Sequence, residues 1–288
     1  MATGLLILGV GPSTRLLTHL VGLDKTYEAT IRLGVATTTD DADGESVSVV
    51  PARYSTTGAG GLNGGILQDE ISRLTGEISQ RPSAVSAIKV DGVRAYERVR
   101  AGEQVELAER RVTVHSFDVL DVREGATSAG EHDPGDWSPS PVVDLDVRVR
   151  CSSGTYIRAL ARDLGERLGV GGHLTALRRT AVGPFLVEDA APVPERVSGA
   201  QSASSPLGSE VVAQPPIPLL APAEVAGRLF PVVHLTGIEA ADLANGKRLE
   251  LDAPDAPITA AVAPDGRLVG LVEVRQRRTR VLTNFPVV

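Results

Sequence analysis

The sequence predicts an α+β protein in two parts, on three observations. Strand patterns occur at 25–34, 111–122 and 142–150. Helical spacing of apolar residues occurs at 66–76 and again after residue 154. A Pro-, Ser- and Ala-rich stretch with little periodicity, 192–218, separates these from a tail of short strand patterns. Strands mixed with a few helices, and no internal repeat, place the chain in the α+β class. The expected organisation is a first domain over 1–191, a linker over 192–218 and a small β-rich domain over 219–288.

Each element follows from its residues. The opening run, Met1 to Gly9, is apolar but has no basic stretch before it, so it reads as a buried strand and not as a signal peptide. In 25–34, Tyr27, Ala29, Ile31 and Leu33 share one face, and Glu28, Thr30 and Arg32 share the other, as in a half-buried strand. Gly34 and the polar stretch Thr37 to Gly44 end it. Ile66, Leu67, Glu70, Ile71 and Leu74 have helical spacing, and Pro82 marks a break beyond them. Residues 123–141, which include Trp137, read as a surface loop. In 142–150, Val143, Leu145, Val147 and Val149 alternate with charged residues. The turn Ser152-Ser153-Gly154 leads into a helix with Ile157, Leu160, Ala161, Leu164 and Leu168 on its apolar side, and Gly169 to Gly172 stop it. In the tail, Ala260 to Ala263, the turn Pro264-Asp265-Gly266-Arg267 and Leu268 to Val274 read as a hairpin.

Composition excludes several classes. Aromatic residues are 3% of the chain, so Val, Leu, Ile and Ala must build the core. The single cysteine, Cys151, cannot form an internal disulfide, which fits a reducing cytoplasm. No run approaches the 18 apolar residues that a membrane helix needs. The net charge of −7 argues against nucleic-acid binding in bulk. Arginines nevertheless cluster at Arg110-Arg111, Arg178-Arg179 and Arg275 to Arg280, and it is local charge that sets the field at a site.

Cofactor chemistry finds no support. The stretch Thr39 to Gly44 invites a calcium loop, but registering it on Gly44 puts Val50 where a bidentate Glu belongs. The five histidines lack ligand spacing, and there is no GxSxG, GxGxxG or phosphate-binding loop. We expect no metal and no organic cofactor.

Cys151 to Gly165 is the most informative segment. A strand runs through a glycine turn into a helix that opens with Tyr156 and Arg158. Free N–H groups and the positive end of the helix dipole would face an anion there. A cation in that first turn is locally unfavourable and calls for a partner. From the residues alone, first-turn packing and surface exposure remain the favoured reading of Tyr156 and Arg158.

Read together, these segments resemble the TruB family of tRNA pseudouridine synthases. Met1-Ala-Thr-Gly-Leu-Leu is similar to the second half of the family stretch in which Leu-Asp-Pro precedes Ala-Thr-Gly. Asp24-Lys25-Thr26-Tyr27 with Ile31 to Gly34 resembles its second motif, and Thr37 to Gly44 its Thr- and Asp-rich loop. Gln80 to Lys89, through Gly92, Ala95 and Tyr96, resembles its Pro-Ser-x-x-Ser-Ala-x-Lys segment. Cys151 to Gly165, and Gly172-His173-Leu174 through Leu177-Arg178-Arg179 to Gly183, match the rest. Residues 219–288 resemble the family's PUA-like RNA-binding domain more loosely.

The resemblance implies a mixed, largely antiparallel sheet core of the pseudouridine synthase type. It implies conversion of uridine-55 in the T loop of tRNA to pseudouridine, by base flipping and exchange of the glycosidic bond. It assigns Tyr27 to stacking and proton transfer, and Arg158 to pairing with the catalytic carboxylate. Tyr156 and Leu177 line the pocket, and Lys89, Arg178 and Arg179 contact phosphates. The family's catalytic Asp, in its Leu-Asp-Pro, matches no residue of this chain. A gene start assigned at an internal methionine would explain that, and the chain as given is then expected to be inactive until the upstream segment is restored. The alternative is a non-catalytic tRNA-binding or tRNA-folding protein. The expected partner is the T arm of tRNA. A monomer, free of membrane and metal, is expected in the cytoplasm.

Overall fold

A computed structural model describes residues 2–55, 61–83, 85–86, 88–90, 92–100, 103, 107–127, 139–193 and 217–286. The expected linker at 192–218 lies almost wholly outside the described residues. Of the loop expected over 123–141, residues 128–138 lie outside them, while 123–126 and 141 are not loop but the ends of two paired strands, whose ladder carries polar residues beyond the apolar pattern. In chain order the strands are β1 (Ala2–Gly4), β2 (Lys25–Leu33), β3 (Val35–Thr37), β4 (Ser46–Val49), β5 (Gly76–Gln80), β6 (Lys89–Val90), β7 (Val93–Arg94), β8 (Arg110–Ala126), β9 (Pro141–Cys151), β10 (Gly172–Val182), β11 (Phe185–Leu186), β12 (Val232–His234), β13 (Ala256–Val262), β14 (Leu268–Arg275) and β15 (Arg278–Asn284). The helices are α1 (Leu17–Val21), α2 (Gly64–Arg73), α3 (Ala95–Arg100), α4 (Ile157–Arg167), α5 (Pro222–Leu229) and α6 (Gly237–Ala244). Two compact units result: Met1–Leu6 with His19–Val187, and Ile7–Thr18 with Glu188–Val288.

The first unit is built on a sheet of order β1-β10-β2-β9-β8-β5, with β11 beside β10. Only the β1–β10 pair is parallel. Alternation puts Ile31, Leu33, Val143, Leu145, Val147 and Val149 on one face, where they are fully buried with Leu160 and Leu164 of α4. On the other face the cross-strand pairs are charged or polar. Arg32 forks onto Asp144 through two 2.8 Å bonds, Thr30 donates to Asp146 at 2.7 Å, and Arg148 donates to Glu28 at 2.8 Å. A one-residue slip of β2 against β9 would bury these charges, so the two faces fix the register.

Helix α2 begins earlier than its apolar spacing indicates, because Asn63 caps it. Its side chain accepts from the N–H groups of Gly65 and Ile66 at 3.0 and 3.1 Å. The helix also stops earlier, and Gly76, at φ +91°, turns the chain into the edge strand β5, whose polar Gly-Glu-Ile-Ser-Gln gave no strand signal. Asn63→Ala should lower stability by about 1 kcal/mol in chemical denaturation. A midpoint identical to wild type would remove the cap from the account.

The opening run is not a buried strand. Ala2–Gly4 form an exposed edge strand, and Leu6, Leu8 and Val10 are 68%, 77% and 66% exposed. Among these residues only Leu5 is buried. Gly4, at φ +94°, bends the chain where an added Cβ would lie 2.2 Å from the Arg179 carbonyl oxygen, and the run leaves the sheet just beyond it.

In the second unit, β12-β13-β14-β15 form a sheet covered on both faces. Leu243 of α6 packs with Ala261, Val272 and Val274, while Ala226 of α5 packs with Ala260, Val262 and Leu271. Double coverage explains why this sequence is continuously apolar where the first sheet's strands alternate. Thr236 and Glu239 close a capping box at the start of α6. Gln276 and Arg277, both at positive φ, make the tight turn between β14 and β15. The basic stretch around that turn is paired with acids: Glu273 with Arg275 and Arg280, and Asp252 with Arg277.

Candidate active site

Tyr27 sits near the start of β2, on the core-facing side of the sheet. It is half-buried, and its register partners are Val149 of β9 and Arg179 of β10. The Arg179 guanidinium acts on the phenol as a nearby positive charge, and its Nε donates to the Leu5 carbonyl at 2.8 Å. Burial pushes the phenol above its usual value near 10; the adjacent Cys151 adds to this and Arg179 opposes it. The group therefore stays protonated at neutral pH. Burial also pushes the Cys151 thiol up to about 11, which leaves it unreactive.

Leu177 is the register partner of Ala29 and packs against the same core as Tyr27. Arg178 lies between Leu177 and Arg179, so its side chain leaves on the opposite face, opposite Glu28, and is exposed. Lys89 is exposed on the β6–β7 hairpin. The structure thus brings Tyr27, Leu177 and Arg179 onto one face of the sheet and leaves Arg178 and Lys89 off it.

Tyr156 is the N-cap of α4, with an extended backbone. Its N–H is not one of the free groups that the glycine turn and helix start suggested for an anion. The fully buried Gln80 accepts from it at 2.8 Å and donates to its carbonyl at 3.0 Å. Gln80 carried no sequence signal of this role; it ends the strand β5 that was not foreseen.

Arg158 has the partner that its unfavourable place in the first helical turn demanded. Nη1 donates to Asp41 Oδ2 at 2.8 Å and to the Thr39 carbonyl at 3.3 Å, and Nη2 donates to the Val85 carbonyl at 2.6 Å. Asp41 is only 7% exposed, and it also accepts from Thr39 Oγ1 at 2.6 Å and from the Asp43 N–H at 3.1 Å. The aspartates that invite a calcium loop in the sequence thus face arginines of α4: Asp41 meets Arg158, and Asp40 meets Arg162 at 3.1 Å. The result is a rigid, charge-compensated cation at the helix start, and a neutral hydroxyl donor on the sheet. Tyr27 pairs with Val149 near the end of β9, and Arg158 lies in the first turn of α4, to which the segment Cys151–Tyr156 leads. A fixed cation holds an anion without reorganising, and a fixed hydroxyl can exchange a proton.

Comparison with known proteins decides the family. The model of the TruB family pseudouridylate synthase N-terminal domain matches residues 1–157. The chain belongs to the TruB family. Two C-terminal models of the same family match residues 158–202 and 230–286. The chain is 50% identical to the tRNA pseudouridine synthase B of Leifsonia xyli, over 99% of this chain and 84% of that protein. It is 47% identical to that of Corynebacterium glutamicum, over 96% and 81%. Curated relatives at this identity are isomerases that modify RNA, and the TruB fold is the class expected from the sequence. Among solved structures, an H/ACA ribonucleoprotein bound to a substrate RNA containing 2′-deoxyuridine aligns over 96% of this chain and 71% of its own, with a TM-score of 0.52 at 18% identity. That likeness concerns the fold alone. No helix among the described residues is long and apolar enough to cross a membrane.

Proposed function

We propose that this TruB protein converts uridine to pseudouridine in the T loop of tRNA, at position 55. The observation that carries the reading is Arg158, fixed at the start of α4 by Asp41, Thr39 and Val85, in a chain half identical to a tRNA pseudouridine synthase B. The reaction breaks the N1–C1′ bond, turns the uracil and joins C5 to C1′. It needs the base out of its stack, at a cost of a few kcal/mol. It also needs a carboxylate beside the ribose. In the family that carboxylate is the Asp of Leu-Asp-Pro, and a cation such as Arg158 keeps such a group ionised. Tyr27 stacks on the flipped base and moves the proton at C5, Tyr156 and Leu177 wall the pocket, and Arg179 sets a positive charge near the phenol. Residues 219–288 form the PUA-like RNA-binding domain, with the exposed turn at Arg277 toward RNA.

Incubation of the protein, carrying a Leu-Asp-Pro segment ahead of Met1, with an unmodified T-arm transcript, followed by detection of pseudouridine, tests this reading. Binding without conversion would replace it by the non-catalytic tRNA binder. Arg178 faces away from Tyr27, so a phosphate contact there requires RNA to reach the outer face of the sheet. If it does, Arg178→Ala weakens binding for all sequences and reduces the salt slope by about 1. An unchanged slope withdraws Arg178 from the interface.

A further inference from the structure

The two arginines of α4 stand one helical turn apart, and each spans the same two segments. Arg158 holds Asp41 and the Thr39 carbonyl at one end and the Val85 carbonyl at the other. Arg162 holds Asp40 Oδ2 at 3.1 Å at one end and the Arg81 carbonyl at 2.8 Å at the other. Ser83, fully buried, ties the segments directly by donating to Asp40 Oδ2 at 2.6 Å. Asp163 Oδ1 accepts from Arg162 Nε and Nη2 at 2.9 and 2.7 Å, which fixes the plane of its guanidinium. Asp40 itself adopts φ +60°, a left-handed conformation that few residues other than glycine take up. Its carbonyl accepts from the Leu174 N–H at 3.1 Å, so backbone and side chain are both held. A disfavoured backbone persists where its surroundings over-determine it.

From this geometry we propose that Arg162, with Asp40 and Ser83, is a positioning residue that sets where Asp41 presents Arg158 to the catalytic carboxylate. Asp40 and Asp41 are adjacent, so the carboxylate that Arg162 grips fixes the backbone carrying the carboxylate that Arg158 needs. The i, i+4 spacing on α4 makes the coupling stiff. Without Arg162 the 39–41 turn is free to relax from its left-handed residue, and Arg158 would follow Asp41. This inference rests on the role given to Arg158 above.

The test uses the full chain with a Leu-Asp-Pro segment ahead of Met1, with kcat and KM on the T-arm transcript and the 15N guanidinium signals of Arg158. Arg162→Ala should lower kcat by roughly 100-fold, the scale of a 1 Å misplacement, with KM unchanged. The Arg158 signals should broaden. Arg162→Lys should not restore kcat, because one ammonium cannot reach both Asp40 and the Arg81 carbonyl. In an Arg158→Lys background, Arg162→Ala should change kcat no further. Sharp, unshifted Arg158 signals in Arg162→Ala, or additive losses in the double variant, overturn the proposal. If Arg158→Lys alone leaves kcat intact, the catalytic reading of Arg158 fails, and the Arg158 signals still decide whether the clamp exists. Should Arg162→Ala not fold, Ser83→Ala removes one donor to Asp40 and is read by the same two measurements.

Discussion

In the chain with the Leu-Asp-Pro segment restored, Tyr27→Phe should slow conversion by roughly 10²- to 10⁴-fold, the usual contribution of a positioned acid or base, while RNA affinity stays unchanged. Phe keeps the ring that stacks and packs, and removes only the oxygen. That oxygen keeps its own proton, because burial holds the phenol above its usual value near 10. A sign follows for pH. The phenol is neutral from neutral pH up to its raised value, so loss of rate through its ionisation begins only above about pH 10. The stability linked to it has the same sense: present below the unfolded value, and lost as pH rises through the higher folded one. Parallel measurements of rate and affinity decide the matter. Equal losses in both would make Tyr27 a binding residue and end the proton-transfer role.

Gly165→Ala should cost about 3 kcal/mol or more, at or beyond the top of the overpacking range. In isolation, alanine would favour the helix by about 1 kcal/mol. Here the added Cβ would lie 2.2 Å from both the Gly171 carbonyl carbon and the Gly172 nitrogen. These are backbone atoms that cannot rotate away. The Gly165 carbonyl also accepts from the N–H groups of Val170 and Gly171, both at 3.0 Å, so moving the loop would break the link from α4 to β10. Gly237 is the control. It opens α6 with nothing within 4 Å of its Cβ position, and Gly237→Ala should stabilise by roughly 0.4–1 kcal/mol. Chemical denaturation of both variants separates the cases. A shift of the same sign in both would show that propensity, and not the α4–β10 approach, governs Gly165.

Most of the first sheet was legible because its strands are wet on one face. Alternation at Tyr27, Ala29, Ile31 and Leu33, and at Val143 to Val149, reports that asymmetry directly. Strand β5 and the opening run were misread for one reason: at an edge, one side of the strand has no partner, and the apolar pattern no longer reports burial. Helix α4 was visible in its apolar spacing, yet the reason for Gly165 was not. A glycine inside a helical pattern is itself a sign of close packing, and that sign was available.

The candidate site divides in the same way. By itself the sequence determined the family motifs and the strand face that carries Tyr27; for the cation in the first turn of α4 it hinted at a partner but favoured surface exposure. Only the tertiary structure decided which anion. Asp41 lies 117 positions from Arg158, and the buried Gln80 that holds Tyr156 lies 76 positions away. Periodicity records which side of an element meets water, because every residue on that side contributes to the pattern. A single long-range hydrogen bond leaves no period behind, and its partners become known only when the chain is folded.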